Sequence, residues 1–141
     1  MKTVKPLKVQ STDRKWYEVD LSQAPLGRAS SKIATLLTGK HKVSYAPYLD
    51  AGDYVVAVNS LKIQLTGNKL SQKKYHHFSG YPGGLKTTPA LKLMETRPDF
   101  VVRHAVRGML PKNKLRKIWL SRLKIVNDTM HSFKIDSQIT I

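Results

Sequence analysis

The chain lacks cysteine altogether, which excludes disulfide bonds and cysteine-based zinc sites. It also lacks long hydrophobic runs, since none approaches the ~20 apolar residues that a membrane-spanning helix needs. The first 15 residues carry several charges but no apolar segment of the kind found in secretory signal peptides. We therefore expect a cytosolic protein that works without a membrane.

Acidic side chains are scarce as well. The 141 residues include 9 Asp and Glu against 25 Lys and Arg, a formal net charge of +16, and no acid occurs in 21–49, 54–94 or 100–127. Like charges that nothing in the chain opposes repel one another in the folded state, so they need an external partner. The last stretch is the most extreme, with eight bases: Arg103, Arg107, Lys112, Lys114, Arg116, Lys117, Arg122 and Lys124. The pattern predicts a polyanionic partner whose phosphates neutralise these bases.

What the chain does contain is enough for a folded core, because 40% of its residues are hydrophobic and fall in periodic blocks. Apolar residues alternating with acids in 16–21 predict a first strand, and apolar residues at helical spacing in 26–37, followed by Gly39, predict an amphipathic helix. The run 54–58 is apolar on both faces. This order is typical of a right-handed βαβ unit, so we predict an α/β fold with a parallel sheet.

Shorter patterns fill the rest of the chain. They predict a basic extended segment in 70–78, a loop in 79–84, helices that begin at Pro89, at Pro98 and near Leu115, and a last strand in 123–126. At the end of the second of these helices, we expect Met109 and Leu110 to pack in the core. The chain then divides into a basic N-terminal arm (1–15), a single α/β domain (16–127) and a loosely patterned C-terminal tail (128–141).

The sequence offers no constellation typical of an enzyme. The closest acid pairs, Glu18 with Asp20 and Asp50 with Asp53, fall on a strand and around a turn glycine, which favours structural or capping roles. The five histidines include no helical pair with a carboxylate that would bind a metal. The turn 21–27 lacks a phosphate-binding fingerprint. We expect no enzymatic activity, no cofactor, no small-molecule substrate and no metal.

Two segments favour contacts with RNA and leave alternatives open. In Tyr75-His76-His77-Phe78, successive side chains of an extended chain point to opposite faces, which suits core contacts on one side and base or phosphate contacts on the other. In Ser79-Gly80-Tyr81-Pro82-Gly83-Gly84, the glycines serve a tight turn, a close approach of the backbone to an RNA phosphate, or both.

Eight blocks of sequence carry a resemblance that covers most of 16–126. They are Trp16-Tyr17, Leu26-Gly27-Arg28, Gly39-Lys40-His41-Lys42, Gly52-Asp53-Tyr54-Val55-Val56, Leu65-Thr66-Gly67-Asn68-Lys69, Tyr75-His76-His77, Gly80-Tyr81-Pro82-Gly83-Gly84-Leu85-Lys86 and Ala105-Val106-Arg107-Gly108-Met109-Leu110-Pro111-Lys112-Asn113. With these blocks in this order, the chain resembles the large-subunit ribosomal protein L-thirteen family (universal uL-thirteen), in its bacterial form. One block alone is weak, but eight in the right order are specific.

The resemblance implies a three-layer α/β/α domain with a small, mainly parallel central sheet. It also implies a structural protein without enzymatic activity that binds large-subunit ribosomal RNA in the cytoplasm, beside neighbouring ribosomal proteins, and takes part early in subunit assembly. The matching positions expected to contact RNA are Lys40, His41, Lys42, Lys69, Tyr75, His76, His77, Tyr81, Gly83, Gly84, Lys86, Arg107, Lys112, Asn113 and Lys114. Arg116, where the family often has glycine, and Lys117 beside it are expected to add phosphate contacts.

Two other functions stay open on the sequence alone. One is a free regulatory RNA-binding protein outside the ribosome. The other, which rests only on the parallel sheet, is a small α/β enzyme acting on RNA or nucleotides. That enzyme would need an acid, base or metal constellation at the carboxyl ends of the strands.

Overall fold

The computed structural model of the protein describes residues 14–140, so the basic arm predicted for 1–15 lies outside the described residues except at Arg14 and Lys15. Within this range, the strands are β1 (Trp16–Asp20), β2 (Tyr54–Val58), β3 (Lys74–Phe78), β4 (Leu85–Pro89), β5 (Leu123–Ile125) and β6 (Ser137–Ile139). The helices are α1 (Leu26–Thr38), α2 (Lys69–Gln72), α3 (Ala90–Thr96), α4 (Pro98–Met109) and α5 (Leu115–Ser121), with a 3₁₀ turn at Ser60–Lys62.

The central sheet has four strands in the order β5-β2-β1-β6, and every pair in it is parallel. β1 lies beside β2 with Tyr17 opposite Val55. Val55, Val56 and Ala57 have no exposed surface, as expected for a strand covered on both faces. The predicted α/β class with a mainly parallel sheet is confirmed.

Helix α1 crosses from β1 to β2 and ends where the sequence predicts. Its fully buried residues Ala29, Ile33 and Leu37 recur every four positions along one helix face. Gly39 follows the helix with a φ of 79°, in the left-handed region that glycine adopts without strain. There its N–H bonds the carbonyl oxygen of Leu36 at 3.1 Å, which satisfies the open end of the helix.

The remaining strand of the sheet, β6, lies in the segment that the sequence describes only as a loosely patterned tail, so the strand itself is not predicted. β6 pairs with β1, with Tyr17 opposite Ser137, and the N–H of Trp16 donates to the Asp136 carboxylate at 2.7 Å. Phe133 stacks on Trp16 with ring centroids 5.5 Å apart. The strand is only three residues long and two of them are exposed, so no apolar alternation marks it in the sequence.

β3 and β4 form an antiparallel hairpin apart from the central sheet. The extended segment predicted in 70–78 is confirmed for β3, but it is wrong for 70–72, which are helical in α2. β4 is not predicted, because only Lys and Thr stand between Leu85 and Pro89. Tyr75 is the buried residue of β3, and its ring meets those of Phe100 and His104 on α4 edge-on. These contacts attach the hairpin to α4.

The end of α4 separates two residues that the sequence places together in the core. Leu110 is 2% exposed and continues the buried row of Val102 and Val106, as predicted. Met109 is 43% exposed, so the expectation for it is wrong. It continues the row of half-buried Ala105 at the edge of the apolar face, and its Sδ lies 3.2 Å from Ser31 Oγ on α1.

Candidate nucleic-acid interface

Helix α4 presents an apolar face to the core and a basic face to solvent. Pro98 is its first residue, where the missing N–H costs nothing. Val102 and Val106 are fully buried, whereas Arg103 and Arg107 are exposed. A spacing of four residues puts both arginines on the same side of the helix.

The residues after α4 extend this basic face. Lys112, Lys114 and Lys117 are exposed, and together with Arg103 and Arg107 they form what we call the α4–α5 surface. Among residues 14–140, no acid forms an ion pair with any of these five bases. Their charges are therefore unopposed, and a phosphate backbone is the kind of partner that neutralises such a surface.

Arg116 and Asn113 hold the turn between α4 and α5. Arg116 donates from Nε to the carbonyl oxygen of Pro111 at 2.9 Å and from Nη2 to that of Leu110 at 3.0 Å. The Asn113 side-chain oxygen accepts from the backbone N–H of Arg116 at 3.1 Å, at the start of α5. Both residues thus have partners inside the chain, and their contact with RNA stays a prediction.

A cleft of ≈ 530 Å³ opens between α4 and α5, inside the α4–α5 surface. Phe100 and Leu120 supply its apolar lining, and the His104 ring lies 5.7 Å from that of Phe100. Its other lining residues are polar or basic: Arg103, Arg107, Asn113, Arg116, Lys117 and Ser121. Phe100 and His104 are not among the predicted site residues, although their spacing of four on α4 is a signal that both rings share one helix face.

The hairpin carries a second exposed surface. His76 is exposed on one face of the hairpin, His77 and Lys86 are exposed on the other, and Tyr81, in the turn, is 76% exposed; we call these four residues the hairpin surface. His76 Nδ1 lies 2.9 Å from Thr87 Oγ1 directly across the strand pair, which fixes the ring on its face. Exposed imidazole and phenol rings of this kind can stack on unpaired bases or reach phosphate.

Tyr75 faces inward from the same strand. It is 8% exposed, and its ring centroid lies 5.2 Å from that of His104 and 6.1 Å from that of Phe100. Burial raises the pKa of the Tyr75 phenol above its ordinary value. The sequence prediction of core contacts within 75–78 is confirmed for Tyr75, and RNA contact by this residue stays a prediction.

The turn of the hairpin requires its glycines. Gly80 and Gly83 have φ values of 92° and 73°, which other residues rarely adopt. A Cβ on Gly84 would lie 2.0 Å from Ser79 Oγ, because the Ser79 N–H donates to the Gly84 carbonyl at 3.1 Å and draws the two residues together. Turn geometry therefore explains these glycines, and close approach of Gly83 and Gly84 to a phosphate stays a prediction.

In the cluster Lys40-His41-Lys42, two side chains reach a buried carboxylate and one does not. Asp53 has no exposed surface; His41 Nε2 lies 2.8 Å from its Oδ2, and Lys42 Nζ donates to its Oδ1 at 2.6 Å. The backbone N–H of Lys15 adds a bond to Oδ1 at 3.0 Å. Lys40 is exposed. His41 and Lys42 thus compensate a buried carboxylate, and their contact with RNA stays a prediction.

Asp50, just before β2, is held in a similar way. Its carboxylate accepts from Arg122 Nη1 at 2.8 Å and from Trp119 Nε1 at 3.0 Å, and Arg14 Nη2 lies 3.1 Å away. Burial by itself raises the pKa of Asp50, but the hydrogen bond and charge of Arg122, with the charge of Arg14, outweigh it and hold the pKa below its usual value. The structural interpretation of Asp50 and Asp53 is confirmed.

Lys69 lies beside the hairpin. It is the exposed first residue of α2, a helix that packs against β4, and its Nζ donates to Thr66 Oγ1 at 3.0 Å.

The described part of the chain shows no sign of a metal site. In residues 14–140, no three His, Cys, Asp or Glu side chains come together as metal ligands would. Nor does that part of the chain contain a helix long and apolar enough to cross a membrane.

Comparison with known families identifies the chain. Residues 14–132 match the family described as Ribosomal protein L13. The chain belongs to this family. The match runs from β1 to beyond β5 and includes both the α4–α5 surface and the hairpin surface, and it confirms the resemblance carried by the eight sequence blocks.

Curated relatives agree with this assignment, and each carries the name large ribosomal subunit protein uL13. The relative from Thermoanaerobacter pseudethanolicus is 49% identical over 124 residues, which cover 88% of this chain and 87% of that protein. The relative from Desulfitobacterium hafniense is also 49% identical over 124 residues, which again cover 88% of this chain and 87% of that protein. The protein from Geobacter sulfurreducens is 46% identical over 141 residues, 100% of this chain and 99% of its own, so that alignment extends through β6.

Proposed function

We propose that the chain is a structural, non-enzymatic component of the large ribosomal subunit, in the cytoplasm, that binds ribosomal RNA and joins the subunit early in assembly. Its partners are large-subunit RNA and neighbouring ribosomal proteins. Membership of the L13 family and the large-subunit name of the relatives support this proposal. The observation that carries RNA binding is the α4–α5 surface, five exposed bases without an acidic partner in residues 14–140.

The acids that the fold does contain do not neutralise this surface. Asp50 and Asp53 bind cations of the interior. Glu18 lies 3.0 Å from His131 Nε2, and Asp20 accepts from the Asn59 amide at 2.9 Å. The remaining acids of residues 14–140, Glu95, Asp99, Asp128 and Asp136, form no ion pair there, so the exposed bases of the α4–α5 surface stay open to a polyanion.

Two surfaces supply most of the RNA contacts. The α4–α5 surface positions phosphates, and the hairpin surface adds rings that can stack on bases. The contact residues are Arg103, Arg107, Lys112, Lys114 and Lys117 on the first surface, His76, His77, Tyr81 and Lys86 on the second, and Lys40 and Lys69 outside both. The other predicted contacts, His41, Lys42, Tyr75, Gly83, Gly84, Asn113 and Arg116, are secondary in this proposal, because the side chains or backbone of these residues already have a role inside the fold.

Salt dependence of binding to large-subunit RNA tests the proposal. A protein that makes 6–10 phosphate contacts loses roughly 10³–10⁵ in affinity between 50 and 200 mM salt. Arg107→Ala and Lys112→Ala should each weaken binding and lower the salt slope by about one contact, with unchanged thermal unfolding. Lys134→Ala, an exposed lysine outside both surfaces, is the matched control. Wild-type binding that is insensitive to salt contradicts the proposal.

A free regulatory RNA-binding protein has the same surface chemistry and needs a separate test. In a sucrose gradient of cell extract, a subunit component sediments with the large subunit, whereas a free regulator stays at the top. An enzyme acting on RNA or nucleotides finds no support in the geometry of Asp50 and Asp53, because cations of the fold hold both carboxylates. The enzyme alternative would be revived if the pure protein turned over RNA or a nucleotide and Asp53→Asn abolished this activity.

A further inference from the structure

The cleft between α4 and α5 has two kinds of wall. One is made by rings: Phe100 is 41% exposed, His104 is exposed, and their planes are inclined by 31° with centroids 5.7 Å apart. The buried Tyr75 ring, which does not line the cleft, contacts both rings edge-on. A partly exposed pair of rings packed on a buried ring is a platform on which a flat aromatic group can stack.

The other wall is basic. Arg103, Arg107 and Lys117 line the cleft, and none of the three has an acidic partner among residues 14–140. Asn113 uses its side-chain oxygen at the start of α5, so the amide nitrogen is the part of this side chain with donors to offer. The lining includes no Asp or Glu. An anion with a flat aromatic group attached fits these walls better than a purely apolar ligand.

The volume of ≈ 530 Å³ falls in the range of small-ligand sites, roughly 300–1,000 Å³, and accommodates one nucleotide. We infer that the cleft takes a single unpaired nucleotide of the bound RNA, with its base against Phe100 and His104 and its phosphate on Arg103, Arg107 and Lys117. This inference rests on the proposed function. It deepens that function by assigning one position of the interface to an extruded base.

A free mononucleotide has the same chemistry, but the surroundings of the cleft favour RNA. Two of the three arginines that line it, Arg103 and Arg107, also belong to the α4–α5 surface, and Lys112 and Lys114 continue that surface past its edge. An RNA strand lying on the surface would therefore pass the mouth of the cleft. Single-stranded RNA is read in this way, by bases turned out of the stack onto aromatic side chains.

The first test compares two exposed apolar residues. Phe100→Ala removes the platform, whereas Ile118→Ala on α5 removes a side chain of similar exposure, 45%, that does not line the cleft. Removal of one stacked base weakens binding by about 5- to 150-fold, and the salt slope should not change because stacking releases no counterions. We expect that loss for Phe100→Ala and none for Ile118→Ala. The inference is overturned if Phe100→Ala binds RNA as tightly as the wild type. If wild-type binding still depends on salt in that case, the proposed function stands.

The second test does not depend on a substitution, so it stands if Phe100→Ala disturbs folding. Ultraviolet irradiation of the full-length protein bound to large-subunit RNA crosslinks stacked ring–base pairs, and mass spectrometry locates the residue. We expect a nucleotide on the peptide that contains Phe100 or His104. Crosslinks confined to the hairpin rings would overturn the inference. The inference would also be overturned if the protein bound free AMP, GMP, CMP or UMP at micromolar concentration and Phe100→Ala abolished this binding without changing the affinity for RNA. The cleft would then be a site for a free mononucleotide.

Discussion

Arg122 and Asp50 form a two-point ion pair in which the Arg122 guanidinium binds both carboxylate oxygens, with the Nη1 to Oδ1 distance at 2.8 Å. Arg122 follows α5, and Asp50 precedes β2. Arg122 Nη1 also donates to the carbonyl of Gly52 at 3.1 Å. The pair therefore ties the end of α5, and with it one side of the α4–α5 surface, to the segment that leads into β2 of the central sheet.

Asp50→Asn should destabilise the fold strongly. The substitution keeps the shape of the side chain but removes the counter-ion of Arg122, which is only 4% exposed. An uncompensated charge in such a site costs about 3 kcal/mol of the free energy of unfolding. Urea unfolding followed by tryptophan fluorescence measures this loss. Asp128→Asn, at an exposed acid, should change stability by less than about 0.5 kcal/mol, and equal effects of the two substitutions would contradict the role of the pair.

The same pair predicts how stability depends on pH. Burial opposes ionisation of Asp50, but Arg122 and Arg14 more than compensate, so the pKa in the folded state lies below that in the unfolded state. The pair therefore stabilises the fold fully above the unfolded-state pKa of about 3.9, and this contribution is lost as pH falls through the folded-state pKa. We expect wild-type stability to decrease below about pH 4. Asp50→Asn should show a smaller decrease in urea titrations over that range.

Gly52→Ala should be severely destabilising, although the residue lies in an irregular segment just before β2. A Cβ at this position would lie 1.7 Å from the Leu37 carbonyl oxygen at the end of α1. Either α1 or the start of β2 has to move, and overpacking of this kind costs typically 1–3 kcal/mol and sometimes more. Gly108→Ala is the control, since no atom lies within 4 Å of its Cβ position inside α4. That substitution should raise the free energy of unfolding by about 0.5–1 kcal/mol in the same urea assay.

The βαβ core was predictable because its signals are local. The alternation in β1, the apolar stripe of α1 with Gly39 after it, and the doubly apolar run of β2 each occupy one short segment. β6 could not be found in this way, because its pairing depends on the backbone of Trp16, more than a hundred residues earlier. A short, exposed edge strand takes its register from its neighbour and leaves little trace in its own sequence.

The candidate site was predictable in composition but not in geometry. Acid-free stretches reveal that bases are unopposed, yet they do not show which bases the fold uses internally. His41 and Lys42 bind Asp53 because the end of α1 comes beside the start of β2. The α4–α5 cleft likewise arises from how two helices pack, so the spacing of Phe100 and His104 on one of them was insufficient to predict it.

Arg116→Ala should separate turn stabilisation from phosphate binding. The Arg116 guanidinium bonds the carbonyl oxygens of Leu110 and Pro111, so its loss leaves two turn carbonyls without these donors and should lower the free energy of unfolding by about 1–3 kcal/mol. Lys cannot place two donors in the same fork, so Arg116→Lys should recover only part of that stability. If Arg116 acts only within the turn, the salt slope of RNA binding should equal that of the wild type. A slope lowered by about one contact, as for Arg107→Ala, with unchanged unfolding would instead assign Arg116 to a phosphate.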